Sequence, residues 1–290
     1  MTSTSVTVSV CIPAYAAQDF IAATVASLRA QTFSDFEAIL VDDCSPDRTV
    51  EVARRAAGDD PRFTIAVNER NLGPAENWNE VVARARGRYV KVLCSDDLLT
   101  PDCLERQVAA LDTYPSAGMT CARRNVLDAR GRVLFANRGL QGLRIGLMNG
   151  DAAIRAMVRV ATTPFGEPSV VLLRRSAMTD AGPFTDRYGT LIDCEYYARL
   201  LRTWDVVSLD ATLGAFLARP ASWSARSHRD QAGQCRALFR ELAADPDLGI
   251  SRRLLWQSMV RTTVNSAARR LAFSLASSRL HARFSRAQPR

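Results

Sequence analysis

Lys91-Val92-Leu93-Cys94-Ser95-Asp96-Asp97-Leu98-Leu99 is the stretch that decides how this chain is read. A short apolar run ends there in two adjacent carboxylates. Two acids at the tip of a buried strand are costly to fold, and hard oxygen ligands of this kind suit Mg²⁺ or Mn²⁺. A second acidic pair closes an earlier run of the same type, Phe36-Glu37-Ala38-Ile39-Leu40-Val41-Asp42-Asp43. If both runs are parallel strands, both pairs stand on the carboxyl edge of one sheet, where open α/β sheets bind ligands.

The pattern around these runs supports such a sheet. Val6, Val8, Val10 and Ile12 alternate with small or polar residues, which predicts a strand ended by Pro13. Phe20, Ile21, Thr24, Val25 and Leu28 recur at helical spacing, predicting a helix over about 17–31. A strand at 36–41, a helix from Ser45-Pro46-Asp47 to about Ala57, a strand at 63–67, a helix at about 75–86 and a strand at 88–94 follow. Strands alternating with helices predict a doubly wound, mostly parallel α/β sheet with helices on both faces. Beyond Asp97 the rhythm changes. Helices are expected at 101–114, 150–161 and 193–204, and strands near 117–123, 169–174 and 205–209. A hairpin spans 126–135, and 136–150 reads as irregular. Strand signals stop near 220, and helical stretches remain at 229–244 and 251–284. This gives a catalytic-looking domain over 1–225, with halves at about 1–100 and 101–225, and a basic helical C-terminal extension over 226–290.

Composition bounds the class. Of 290 residues, 47% are apolar and 23% charged, which is ordinary for a globular protein and argues against disorder outside the termini. No apolar stretch reaches the roughly 18–20 residues needed to span a bilayer. Met1-Thr2-Ser3-Thr4-Ser5 lacks the basic flank and apolar core of a signal peptide. The 7 cysteines show no CxxC spacing, so reduced thiols in a cytoplasmic protein are expected, rather than zinc or a disulfide framework. The net charge of +8 is concentrated at the end: residues 251–290 carry nine arginines and no acid. The single lysine is Lys91, so arginine is the general basic residue, and its abundance does not by itself imply nucleic acid.

Each candidate site residue has a plain alternative. Aspartates after a strand often cap helices or make turns. Here Pro101 opens the next helix, so neither Asp96 nor Asp97 is an obvious cap. The functional reading gives Asp97 to a divalent cation across a diphosphate, and Asp96 and Ser95 to a sugar or ribose. Asp43 could accept a hydrogen bond from the imide N–H of a pyrimidine ring, with Pro13 and Tyr15 lining the base pocket. Asn71-Leu72-Gly73 and Asn77 supply a glycine-containing loop and a neutral donor at a helix start. Asp193 and Glu195 lie two apart on a predicted helix, so they face different ways. One can face a cleft and take a proton while the other pairs with Arg199.

Taken in order, these runs resemble family 2 glycosyltransferases, inverting enzymes of the GT-A fold. The likeness rests on Val10-Cys11-Ile12-Pro13-Ala14-Tyr15, Leu28 to Glu37, Val41 to Asp47, Asn71-Leu72-Gly73, Asn77, Gly87-Arg88-Tyr89-Val90 and Ser95-Asp96-Asp97. Pro168 to Arg175 and Gly182-Pro183-Phe184 resemble the acceptor-side half, and the likeness covers about 6–225. It implies that Asp43 contacts the base, Asp97 holds the metal and Asp193 is the catalytic base. Two places depart from the family. Ile192 stands where an acid often precedes the base. Arg219-Pro220-Ala221-Ser222-Trp223-Ser224 replaces a stretch that often carries a metal-binding histidine. Arg219 could bind the diphosphate instead, with His228 a distant substitute ligand.

The resemblance implies transfer of a sugar, with inversion, from a nucleotide-diphosphate donor, UDP-sugar favoured, to a hydroxyl of a saccharide or lipid-linked saccharide in cell-surface polysaccharide biosynthesis. The cofactor expected is Mg²⁺ or Mn²⁺. A nucleotidyltransferase would need a Gly-rich, basic loop after the first strand, where Pro13-Ala14-Tyr15-Ala16-Ala17-Gln18 stands. A non-catalytic nucleotide-sugar-binding subunit would not need Asp193. The arginine-rich 251–290 segment is expected either to pack as ordinary helices or to rest on an anionic membrane surface at the cytoplasmic face. Nucleic acid is not an expected partner.

Overall fold

The computed structural model of the chain describes residues 6–128, 130–218 and 228–265. Strands β1 (Val8–Ala14), β2 (Phe36–Asp42), β3 (Phe63–Val67) and β4 (Tyr89–Val92) lie side by side in the order β3-β2-β1-β4, all parallel. Helices α1 (Ile21–Arg29), α2 (Thr49–Ala57) and α3 (Pro74–Ala83) make the crossovers. The period of two along each strand sorts side chains onto two cores. Val8, Val10, Ile12, Ala38 and Leu40 face the core of α1, α2 and the later helix over Cys103–Thr113, while Cys11, Ile39 and Val41 face the core of α3. On α1, Ile21, Val25 and Leu28 repeat at helical spacing and are all buried, which seats the helix on the sheet.

After the two-residue strand β5 (Leu98–Leu99) come α4 (Cys103–Thr113), β6 (Ala117–Leu127), β7 (Val133–Arg138), β8 (Gly146–Met148) and α5 (Gly150–Val160). A 3-10 turn at Pro168–Val170 leads into β9 (Val171–Arg174), then α6 (Arg175–Ala181), α7 (Ile192–Leu200) and β10 (Asp205–Leu217). The sheet continues in the order β4-β9-β6-β10-β5. Strand β9 is antiparallel to both β4 and β6, so β6 and its parallel neighbour β10 point the same way as β1–β4. The carboxyl edge therefore collects the ends of β1, β2, β4, β6 and β10 and the start of β9.

The sheet is parallel in its first half and mixed beyond it. Three features depart from the sequence expectation. Helix α6 follows β9 without a break; it is short, and only Ala177, Met178 and Ala181 bury. Strand β10 runs to Leu217 rather than Leu209, because it gains β5 as a second partner after two register shifts. The region 136–150 contains the end of β7 and all of β8.

Helices α8 (His228–Ala244) and α9 (252–265) follow. Cys235, Leu238 and Phe239 of α8 join the core of α5 and α7, and Leu254, Leu255 and Met259 of α9 pack against it. Among the described residues, no helix is long and apolar enough to cross a membrane.

Candidate active site

The first half of the site is built at the ends of β1 and β2. Asp42 accepts from the backbone N–H of Ser45 at 2.8 Å and from its hydroxyl at 2.5 Å, which fixes the turn leaving β2. Asp43 points the other way. It is only 2% exposed, and its carboxylate accepts from Leu72 N–H (2.8 Å), Gly73 N–H (3.0 Å) and the Asn68 amide (2.9 Å). Gly73 has φ of 86°, a left-handed geometry that lets its N–H turn onto Asp43 just before Pro74 opens α3. A carboxylate offers about four acceptor positions. Three are taken by these donors. Asn71 donates to the Asp43 carbonyl at 3.1 Å. Asn77 is 3% exposed; its amide donates to the Val41 carbonyl at 3.3 Å and accepts from Asn68 at 3.0 Å. It is thus placed to hold the loop rather than to reach into solvent. Pro13 lies near the end of β1, and Tyr15 just beyond is 49% exposed at the rim. The two rim loops are tied together: Ala16 and Ala17 donate to the hydroxyls of Ser45 and Thr49.

The second half gathers around Asp97. Ser95 is held through its carbonyl by the Thr24 hydroxyl of α1 at 3.1 Å. Asp96 stays partly accessible, while Asp97 is 1% exposed. Asp97 accepts from the Ser169 hydroxyl at 2.5 Å and from Leu217 N–H, at the end of β10, at 3.3 Å. Burial, then the neighbouring Asp96 charge, holds the Asp97 carboxyl well above the usual carboxylate range, while the Ser169 hydrogen bond works against that rise. Ser169 can reach Asp97 only because β9 runs antiparallel and starts at this edge.

Asp193 is the second residue of α7 and is partly accessible. Burial pushes its carboxyl up to about 7; Glu167 adds to the rise, and the Cys194 N–H (2.8 Å) and Arg124 oppose it. Glu195 is committed elsewhere. Arg199 clamps it with bonds of 2.9 and 2.8 Å, and Thr185 donates to it at 3.3 Å. Cys94 feels the charges of Asp97, Asp96 and Asp193, and Glu167 acts on both Asp97 and Asp193. The carboxylates after β4 and at the start of α7 therefore belong to one electrostatic cluster. Glu167 is ion-paired with Arg124 of β6, whose Nη2 donates to it at 2.7 Å.

Asn68, Arg124, Glu167, Ser169 and Lys91 join the site without having been singled out for it. Asn68 carries no motif. Ser169 stands in the Pro168-Ser169 run, but nothing local says that β9 starts at the site. Arg219 and the side chain of His228 lie outside the described residues.

The acids present fit a divalent cation. Among the described residues, no three His, Cys, Asp or Glu side chains form a complete cage. Mg²⁺ and Mn²⁺ in nucleotide sites commonly take one or two carboxylates and complete their shells from substrate phosphates and water. A buried Asp97 crowded by the charge of Asp96 matches that donor set.

Residues 9–180 match the family described as Glycosyl transferase family 2. The chain belongs to that family. Over 108 residues it is 41% identical to TuaG of Bacillus subtilis (strain 168), which is named for teichuronic acid biosynthesis; the match covers 37% of this chain and 43% of TuaG. The chain thus spans less than half the length of this relative. In three dimensions the family 2 chain resembles S. aureus TarS 1–349 in complex with UDP-GlcNAc, with a TM-score of 0.64 and 19% identity over 81% of this chain and 66% of that one. It also resembles the mannosyltransferase PcManGT from Pyrobaculum calidifontis in complex with GDP-Man and Mn²⁺, with a TM-score of 0.63 and 18% identity over 96% of this chain and 79% of that one. At these identities the likeness is one of fold, the GT-A fold.

Proposed function

We propose that this family 2 chain transfers a sugar, with inversion, from a UDP-sugar to a hydroxyl of a saccharide acceptor, free or lipid-linked, in cell-surface polysaccharide biosynthesis. The observation that carries the reading is Asp97, after β4, held buried at the carboxyl edge by the Ser169 hydroxyl, with Glu167 bearing on both it and Asp193 at the start of α7. The uracil imide N–H donates to the acceptor position left on Asp43, against Pro13 and Tyr15. Asn68 and Asn77 keep Asp43 aimed, and Asn71 braces its backbone. Ser95 and Asp96 bind the ribose or the donor sugar, and Arg219, by residue type alone, is the candidate for binding the diphosphate. A Mg²⁺ or Mn²⁺ ion held by Asp97, with Asp96 beside it, would offset the charge of the diphosphate as it leaves.

Asp193 accepts the proton of the acceptor hydroxyl. The hydroxyl oxygen attacks the anomeric carbon from the face opposite the diphosphate, the bond from that carbon to the diphosphate oxygen breaks, and the nucleoside diphosphate departs with the electron pair. One displacement inverts the configuration, with no covalent intermediate. The relatives support the chemistry by family, and the two structural neighbours support nucleotide-sugar binding by fold. UDP is this reading's choice, since one neighbour holds UDP-GlcNAc and the other GDP-Man.

The C-terminal helix supports a membrane-proximal site of work at the cytoplasmic face. On α9, Trp256, Val260 and Val264 stand four residues apart and are 67, 47 and 60% exposed, so one face of the helix offers an apolar stripe to solvent. The nine arginines of 251–290 would complement anionic headgroups. The test of the chemistry is to incubate the purified chain with a panel of UDP- and GDP-sugars and record which is hydrolysed or transferred. A chain that consumes none of them, while its Asp193→Asn form binds the same nucleotides equally well, is a binding subunit and not a transferase.

A further inference from the structure

Lys91 is the only lysine in the chain, and it is fully buried in β4. Placing an ammonium in a protein interior is costly unless its charge is paired or hydrogen-bonded. Its Nζ donates to the carbonyls of Ser169 (2.8 Å) and Val171 (2.9 Å). The carbonyl between them, that of Val170, accepts from the buried Gln107 of α4 at 2.9 Å. Three successive carbonyls at the 3-10 turn and the start of β9 are thus pinned by two buried side chains from different elements. The turn in turn presents one hydroxyl, that of Ser169. It donates to Asp97 at 2.5 Å and accepts from Cys94 N–H, in the segment leading to Asp97, at 3.2 Å.

We propose that Lys91 is a positioning residue for the metal-binding carboxylate: it fixes the 168–171 turn, and that turn aims the Ser169 hydroxyl at Asp97. This rests on the reading of Asp97 as metal ligand. The residue type follows from the geometry. Two carbonyls of one turn call for a compact donor with several N–H bonds on a long stem, and lysine is that residue; the planar guanidinium used everywhere else in this chain is larger and forks differently. With the Ser169 hydroxyl on Oδ2 and the Leu217 N–H on Oδ1, the plane of the Asp97 carboxylate is fixed, so a cation meets a ligand that is already aimed. The same turn begins directly after Glu167, so Lys91 also bears on where that carboxylate and its Arg124 partner stand.

The test measures Mn²⁺ binding by the electron paramagnetic resonance signal of free Mn²⁺, in the presence of UDP and separately of GDP, on the full chain. Five forms are compared with the parent: Lys91→Met, Ser169→Ala, the double variant of these two, Lys91→Arg and Asp97→Asn. Methionine fills the lysine stem's space, and Ser169→Ala removes a single hydroxyl, so the second variant stands even if the first does not fold. Removing a group that hydrogen-bonds and orients a metal ligand commonly costs about 10–100-fold in metal affinity. We expect each single variant to weaken Mn²⁺ by about 10-fold or more, and the double variant to be no weaker than the worse single one, because both act along one path. Lys91→Arg is expected not to restore binding. Parent-like Mn²⁺ affinity in Ser169→Ala, or additive losses in the double variant, would overturn the proposal. If Asp97→Asn binds Mn²⁺ with either nucleotide as tightly as the parent, the metal assignment has failed and the proposal falls with it. If Asp97→Asn alone loses binding, the assignment stands and only the positioning role is wrong.

Discussion

Asp193 and Glu195 stand two residues apart on one helix, and their surroundings separate them. Glu195 is spent on Arg199, whereas Asp193 accepts from the N–H of its neighbour Cys194 and feels the charge of Glu167. Asp193→Asn keeps nearly the same shape but cannot accept a proton, so transfer should fall about 10²- to 10⁴-fold with nucleotide binding intact. Glu195→Gln should leave the rate within a few-fold and lower the melting temperature. Measured transfer that dies in Glu195→Gln and survives in Asp193→Asn would reverse the assignment. Burial holds Asp193 near 7, so it is protonated and idle as a base below that pH and ionised above it. The pH profile of kcat/KM, which reports the free enzyme, should therefore rise through about 7 and level off on the alkaline side. Replacing Asp97 by alanine removes the diphosphate's charge partner. A loss of about 10²-fold or more is expected in single-turnover assays, and full activity with and without chelator would remove the metal from the scheme.

At the scale of elements, the site depends on how helices dock beneath it. Helix α5 starts at Gly150, where an added Cβ would lie 2.0 Å from the Leu201 carbonyl oxygen and 2.3 Å from that of Trp204. Both are backbone atoms flanking the end of α7, and they have no side-chain freedom to yield. Gly150→Ala should therefore cost about 1–3 kcal/mol, as overpacked sites typically do. Thermal melts should show this directly, and an unchanged melting temperature would mean that α5 can slide without penalty. Gly131, on the exposed hairpin, has open space around it, but its φ of 74° is one that side chains avoid. A substitution there should have a smaller cost, local to the turn.

For the whole molecule, the open question is where the basic end of the chain sits. The inner face of α9 is docked: Ser258 and Thr262 are buried, and Asn265 donates to the Val160 and Ala161 carbonyls at the end of α5. The outer face carries the Trp256, Val260 and Val264 stripe. The chain should sediment with anionic liposomes at low salt and release as salt rises, because screening shortens the reach of the arginines. A Trp256→Ser, Val260→Ser, Val264→Ser triple variant keeps every charge and should bind several-fold more weakly. Equal sedimentation of parent and variant would assign the contact to charge alone, and absence of binding by the parent would leave α9 an ordinary packed helix.

Some of this was legible along the chain and some was not. The alternating runs 8–14, 36–42 and 63–67 and the helical spacing of Ile21, Val25 and Leu28 declare their elements locally, because a side chain's face follows from its position in the repeat. The acid pairs at the ends of β2 and β4 could be placed on one edge for the same reason: parallel strands must end together. The sequence by itself determined the α/β class, the parallel first half and the two acid pairs on its carboxyl edge. Only the tertiary structure decided that β9 runs backwards between β4 and β6. That reversal brings Ser169 and Glu167 to the edge, buries Lys91 against their turn, and lets Arg124 on β6 answer Glu167. These contacts join residues 43 to 78 positions apart, and strand direction in the second half of a sheet is set by packing, not by any local pattern. The same holds for the choice between Asp193 and Glu195. Helical spacing says that they face different ways, and only the packed neighbours say which way is in.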